Sequence, residues 1–190
     1  ERPILFSAPM VRAILAGQKT QTRRIFKEKN GGVQPRANDI PGMRQILRNC
    51  PYGQLGDRLW VRESWADLTQ THGQRWERLN DETGLYERGI NPFAWYRADG
   101  DQPDVGDGAT HYAPWRPSIH MPRWASRILL EVVGIRVERL QDISAADCVA
   151  EGAPGGHGAI PGYPYNATPQ EHYRHIWTSI NGAASWDANP

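Results

Sequence analysis

Glycine and proline punctuate this chain from end to end, and that punctuation limits the length of every regular element. They number 19 + 15 = 34 of 190 residues. The share is above the usual one and predicts long irregular connections between short elements. What those elements bury is aromatic: eight Trp, seven Tyr and three Phe supply ample apolar area, so a wholly disordered chain is not expected. The length suits one domain, or one domain carrying a large insertion. No apolar run reaches the length of a membrane span. No charged-then-apolar leader opens the sequence, so secretion is not expected. Cys50 and Cys148 could pair in principle, but read first as two reduced thiols in a cytoplasm.

Element by element, Ile4 to Phe6 reads as a short buried strand. Ser7 caps a helix whose Val11, Ile14 and Leu15 share one face, and Gly17 stops it. Thr20 to Phe26 reads as a strand, Lys27 to Gln54 as a long loop, and Asp57 to Glu63 as an alternating strand with either Leu59 and Val61 or Trp60 and Arg62 inward. A hairpin is expected over Arg75 to Arg88, a strand at Phe93 to Arg97 and a loop from Asp99 to Trp115. Ile128 to Leu140 is the clearest long strand. Ser144, with Asp147 three residues on and Ile143 before it, starts a helix that ends at Glu151-Gly152. After a Gly/Pro/Tyr loop, Thr168-Pro169-Gln170-Glu171 starts a last helix striped by Tyr173, Ile176, Trp177 and Ile180. Short strands outnumber helices. The pattern predicts a small α+β domain, a curved or barrel-like sheet with a few packed helices.

Charge is unevenly placed. Residues 1–30 carry seven cations and two anions, 7 − 2 = +5, which leaves −4 for the rest of a chain whose net charge is +1. Three of the 22 cations are Lys and 22 − 3 = 19 are Arg. Arginine forks phosphates and stacks on bases, which points to an anionic or nucleic-acid ligand near the N-terminal segment; arginine-rich codon usage gives the same count. In the segment after Gly17, Lys19, Thr22, Arg23 and Arg24 crowd a stretch that a core strand would fill with apolar residues. Trp65 and Trp124, at strand ends or in irregular chain, are candidates for stacking a base, with a place in the core as the alternative. His120, between Pro117 and Pro122, either lines a pocket or packs a loop. His111, His120 and His157 match no metal-ligand spacing, so no metal is expected, and His172 and His175 read as a solvated helix face.

The segment Ile14-Leu15-Ala16-Gly17-Gln18-Lys19-Thr20-Gln21-Thr22-Arg23-Arg24 resembles the opening motif of ASCH domains, "IL.G.KT.T.R". Gly56-Asp57-Arg58-Leu59-Trp60-Val61-Arg62-Glu63 resembles their second motif, "GD.L.V.E", and Ile128 to Asp142 followed by Ser144 to Gly152 resembles the family's next strand and helix. The likeness covers about residues 3–27, 54–66 and 127–152. The longer form with Trp-rich inserted segments, about 27–54 and 66–126, is similar to ASCH proteins of phages and prophages. The resemblance implies one PUA-like β-barrel domain over 1–190 that binds RNA or modified bases. It also implies one catalytic branch, the amidohydrolases that remove the acetyl group of N4-acetylcytidine with a lysine, a threonine and a glutamate. By motif these fall on Lys19, Thr22 and Glu151, and the family arginine on Arg24.

Amide hydrolysis needs a nucleophile, a base to activate it and donors for the developing oxyanion. Thr22 offers a hydroxyl. Lys19 offers a base if burial or the neighbouring Arg23 and Arg24 lower its pKa, and Glu151 offers a proton shuttle. Each has a plainer reading as well: a surface cation at a helix end, a strand former and a helix-end carboxylate. Arg23, Arg24, Glu63, Trp65, His120 and Trp124 complete the expected binding set. The expected partner is a modified nucleoside or a nucleic acid, RNA or DNA, with no cofactor and no membrane. Two rival functions stay open: a non-catalytic reader of RNA or modified DNA, and a ribonuclease.

Overall fold

A computed structural model of the chain describes residues 1–25, 47–48, 50–68, 94–101 and 113–190, with the backbone of 78–79 and 86–87. Most of the expected 27–54 loop, Phe26, Phe93, His111 and the middle of the 99–115 loop lie outside the described residues.

The class is α+β. Strands β1 (Arg2–Leu5), β2 (Arg58–Arg62), β3 (Trp65–Asp67), β4 (Arg78–Leu79), β5 (Tyr86–Glu87), β6 (Ala94–Tyr96), β7 (Trp115–Arg116) and β8 (Leu129–Glu131) join helices α1 (Ala8–Leu15), α2 (Ala145–Ala150) and α3 (Pro169–Asn181). Two three-stranded sheets, β1-β2-β8 and β6-β3-β7, stand beside the antiparallel ribbon β4-β5, and among the described residues no sheet closes into a barrel. The ribbon falls within the hairpin expected over 75–88.

The chain divides into two compact units. The first comprises Glu1–Arg12 and Leu55–Val133, the second Ala13–Gln54 and Gly134–Pro190. In the first, β1 runs parallel to β2, which a crossover through α1 and the long connection permits, and β8 pairs antiparallel to β2. The alternation in β2 resolves with Leu59 and Val61 inward beside Ile4, Phe6 and Ile128, and Trp60 and Arg62 outward. The second sheet packs Trp65, Ala94, Tyr96, Met121 and Ala125 into one buried cluster.

In the second unit, α2 and α3 enclose Leu140, Ile143, Cys148, Ala153, Tyr173 and Trp177. Both helix starts follow the sequence. The Ser144 hydroxyl accepts from the Asp147 N–H at 3.1 Å and donates to its carboxylate at 2.7 Å. Thr168 and Glu171 form a reciprocal capping box. Of the α3 stripe, Tyr173 and Trp177 are buried and Ile176 packs on the core, while Ile180 is exposed.

Two strand expectations are corrected. Ile128 to Leu140 forms a strand only at Leu129–Glu131; the ladder runs on through the mutual bonds of Val132 and its partners Gly56 and Asp57, and from Val133 to Arg139 the chain has no regular secondary structure. Thr20 to Ile25 likewise forms no strand. Its Thr20 and Gln21 N–H groups donate to the carbonyl of Ala150 at 2.8 and 3.0 Å, so a helix end takes the bonds a strand would have taken.

Candidate functional site

The polar centre of the second unit is built by two helix stops. At the end of α1, Gly17 (φ +69°) donates to Ile14 and Gln18 to Ala13, and Lys19 shares the Ala13 carbonyl at 3.0 Å. At the end of α2, Gly152 (φ +89°) donates to Val149 and Ala153 to Cys148. Both are Schellman closures, and both need a residue in the left-handed region where glycine carries no steric penalty. At Gly152 the backbone conformation is the constraint, because a side chain would make only ordinary contacts. A Cβ there would stand 3.4 Å from the Ala13 Cβ and 3.6 Å from the Lys19 Cβ.

These stops deliver Lys19 to Glu151 across 132 residues of sequence. The Lys19 ammonium donates to Glu151 Oε2 at 2.8 Å, to the Glu151 carbonyl at 2.8 Å and to the Gln21 carbonyl at 2.7 Å. Its side chain is 2% exposed and that of Glu151 5%. The cation thus sits where the last carbonyls of α2 gather negative potential. The other carboxylate oxygen, Glu151 Oε1, is buried without a hydrogen-bond partner. Arg23 Nη1, also buried without one, stands 3.7 Å from it. Arg23 Nη2 donates to Glu138 Oε2 at 2.7 Å, and Arg136 bridges Glu138 and Asp147.

Burial pushes the Lys19 amine below the ordinary lysine range; the Glu151 carboxylate opposes this, and Arg24 and Arg23 act with it. Asp147 is held well below the usual carboxylate range, first by the Ser144 hydroxyl and then by Arg136. Burial pushes the Cys148 thiol up to about 11, which leaves it an inert core thiol.

The first unit holds a separate ionic centre. Glu63, 1% exposed, takes a forked pair from Arg127 at 3.0 and 3.2 Å. The same guanidinium forks Asp99 at 2.7 and 2.9 Å and lies 3.9 Å from the Tyr96 ring centroid. Burial raises the Glu63 carboxyl above its ordinary value, against the pull of Arg127.

Of the residues singled out from sequence, Lys19, Glu151 and Arg23 are brought together. Arg24 is partly buried and its charge is felt at Lys19. Thr22 is exposed, and its hydroxyl makes no hydrogen bond among the described residues. Glu63 belongs to the Arg127 centre. Trp65 is core, its ring centroid 5.6 Å from that of Trp124 in a nearly perpendicular pair, and Trp124 is 50% exposed. Full burial closes Trp65 to a base, whereas Trp124 keeps half its surface open. His120 lies exposed at the end of a short 3-10 turn. Sequence reasoning passed over Arg127, Asp99, Glu138 and Asp147. Only Asp147 carried a local signal, as the partner of its cap; the others act through contacts that no spacing encodes.

No protein-family model, curated protein or solved structure matches this chain. Among the described residues no helix is long and apolar enough to cross a membrane.

Proposed function

We propose that the chain is an ASCH-type protein of PUA-like ancestry that holds a modified pyrimidine nucleoside and hydrolyses an acyl amide on its exocyclic nitrogen, as in N4-acetylcytidine. One observation carries this reading. The lysine of the first motif and the glutamate at the end of the helix that follows β8, Lys19 and Glu151, form a buried ion pair at 2.8 Å, although 132 residues separate them. The pairing of the second motif's strand with β8 adds support, because neighbouring motif strands are what a PUA-like sheet requires. Two cysteines without a disulfide suit the cytoplasmic setting expected for such a substrate.

The chemistry assigns protons to this pair. Water attacks the amide carbonyl and the C–N bond breaks; the attacking water gives up a proton and the departing nitrogen gains one. Glu151 has a carboxylate oxygen, Oε1, with no hydrogen bond to give up, which suits it to receive the first proton. Lys19, its amine acidified by burial, suits the delivery of the second. Arg23 and Arg24 supply positive charge near the developing oxyanion. Exposed Thr22 fits positioning of water better than a nucleophile that needs an adjacent base.

A second reading, a non-catalytic reader of RNA or modified DNA, is favoured by one feature: all three Lys19 donors are already satisfied, as in a purely structural ion pair. Incubation with N4-acetylcytidine and chromatography for cytidine decides between the two. Turnover that disappears in Glu151→Gln supports hydrolysis. Absence of cytidine removes it.

A further inference from the structure

In the second unit, the Lys19–Glu151 pair is closed to solvent, and Arg23 closes the side of Glu151 Oε1. Arg23 Nη1 stands 3.7 Å from that oxygen, and the Arg23 side chain is 15% exposed against 5% for Glu151 and 2% for Lys19. The outer edge of the same guanidinium is well held. Nη2 donates to Glu138 Oε2 at 2.7 Å and stands 3.6 Å from Asp147 Oδ2, and Arg136, itself exposed, pairs with both carboxylates. The inner edge is not. Arg23 Nη1 and Glu151 Oε1 are both buried, and neither makes a hydrogen bond. Charged atoms in that condition have given up hydration without replacing it. The closed position is therefore unfavourable on its inner side and is kept by ion pairs on its outer side, where salt screens them.

The backbone leaves this side chain free to move. Thr20 and Gln21 donate to the Ala150 carbonyl, and the Gln21 carbonyl accepts from Lys19, so the chain is pinned as far as Gln21. Beyond it, Thr22 and Arg23 make no backbone hydrogen bond among the described residues, and the segment forms no strand. The hydrogen bonds and ion pairs that hold Arg23 are all made by its guanidinium.

We infer that Arg23 is a gate: its guanidinium leaves Glu151 Oε1 and swings outward, opening Lys19 and Glu151 to solvent and ligand while the fold stays intact. What takes its place beside Oε1 must donate a hydrogen bond, as a water or an amide N–H does. The inference rests on the reading above only for what the gate admits; the opening itself follows from the contacts of Arg23 and does not require hydrolysis.

The test measures how fast the Lys19 amine is acetylated in the full chain. The reagent is N-hydroxysuccinimidyl acetate, which is uncharged, with free Nα-acetyllysine in the same tube as the reference, and Lys19 is read by mass spectrometry of its peptide. A gate open in a minor state of about 0.1–10% predicts that Arg23→Ala speeds acetylation at least about tenfold. The lost charge acts the other way, because Arg23 helps to keep the Lys19 amine acidified and its removal alone would slow the reaction. Glu138→Gln should speed acetylation about two- to fivefold, the scale of a partly exposed ion pair, and raising salt from about 50 to about 500 mM should do the same in the unmodified chain. Urea well below the unfolding midpoint should leave the rate nearly unchanged, since a local opening exposes little surface. The inference is overturned by an Arg23→Ala rate equal to or below the parent's, or by a parent rate indifferent to salt. A parent rate that climbs steeply with the first additions of urea overturns it as well, because Lys19 is then reached only by global unfolding. Absence of cytidine in the nucleoside assay leaves these rates untouched, so the two readings fail separately.

Discussion

Replacing Lys19 with Met tests the site through its energetics. The substitution keeps the apolar stem and removes the ammonium, and with it the donor to Glu151 Oε2, the Glu151 carbonyl and the Gln21 carbonyl. Glu151 would remain as a carboxylate that is 5% exposed, with Oε1 already lacking a hydrogen bond and Oε2 newly deprived of one. Breaking a buried pair on one side costs about 3–5 kcal/mol, against about 0–1 kcal/mol for an exposed pair. Urea unfolding followed by tryptophan fluorescence should therefore show a loss of about 3–5 kcal/mol with an unchanged slope. The double variant Lys19→Met with Glu151→Leu should recover most of that loss, because no buried charge is then left alone. The sign of the pH dependence follows from the acidified amine. The unfolded chain holds the Lys19 proton up to about pH 10.4 and the folded chain releases it earlier. Stability thus gains with rising pH across that interval, and Lys19→Met abolishes the gain. A loss under about 1 kcal/mol in the single variant would refute the burial argument.

Gly152→Ala should cost about 1–2 kcal/mol in the same unfolding assay, because its backbone is left-handed, although a Cβ would make only ordinary contacts with Ala13 and Lys19. Thr168→Ala should cost about 1 kcal/mol by opening the capping box of α3, and circular dichroism should report lost helix. Arg127→Met should cost about 3–5 kcal/mol at neutral pH by stranding Glu63, whereas Glu63→Gln, which keeps the shape, should cost less. Acid unfolding should depend on Asp147. Its carboxyl is depressed when folded, so its contribution is present above the unfolded value near pH 4 and disappears as pH falls towards the folded one; Asp147→Asn should flatten that limb.

The helix starts and stops were legible in the sequence because each is a local device. Ser144 with Asp147, Thr168 with Glu171, and Gly17 and Gly152 act within five residues, and the structure uses all of them. The facing of β2 required the structure: Leu59 and Val61 compete with Trp60 and Arg62 until a neighbouring sheet face chooses. The long strand expected from Ile128 was an error of the same origin. Apolar β-branched composition reports half-buried extended chain, but ladder partners decide the strand, and those end near Val132. Lys19 with Glu151 was legible only through motif resemblance, since no periodicity links positions 132 apart. Glu63 was placed at the expected ligand, yet its partner Arg127 lies 64 residues away and Asp99 28 residues from that. Trp65 shows the converse failure. Its place at a strand start suggested access, and packing against Met121 and Tyr96 denies it.

The most direct measurement of the central claim is the rate of cytidine release from N4-acetylcytidine by the parent chain and by Lys19→Arg, with the urea midpoint of each. Arginine keeps the positive charge opposite Glu151 but does not give up a proton in the working pH range. If Lys19 moves a proton, Lys19→Arg should remain folded and lose at least about 100-fold in rate, the scale of general acid–base catalysis. Equal rates in a folded Lys19→Arg chain, or no cytidine from the parent, would contradict the account.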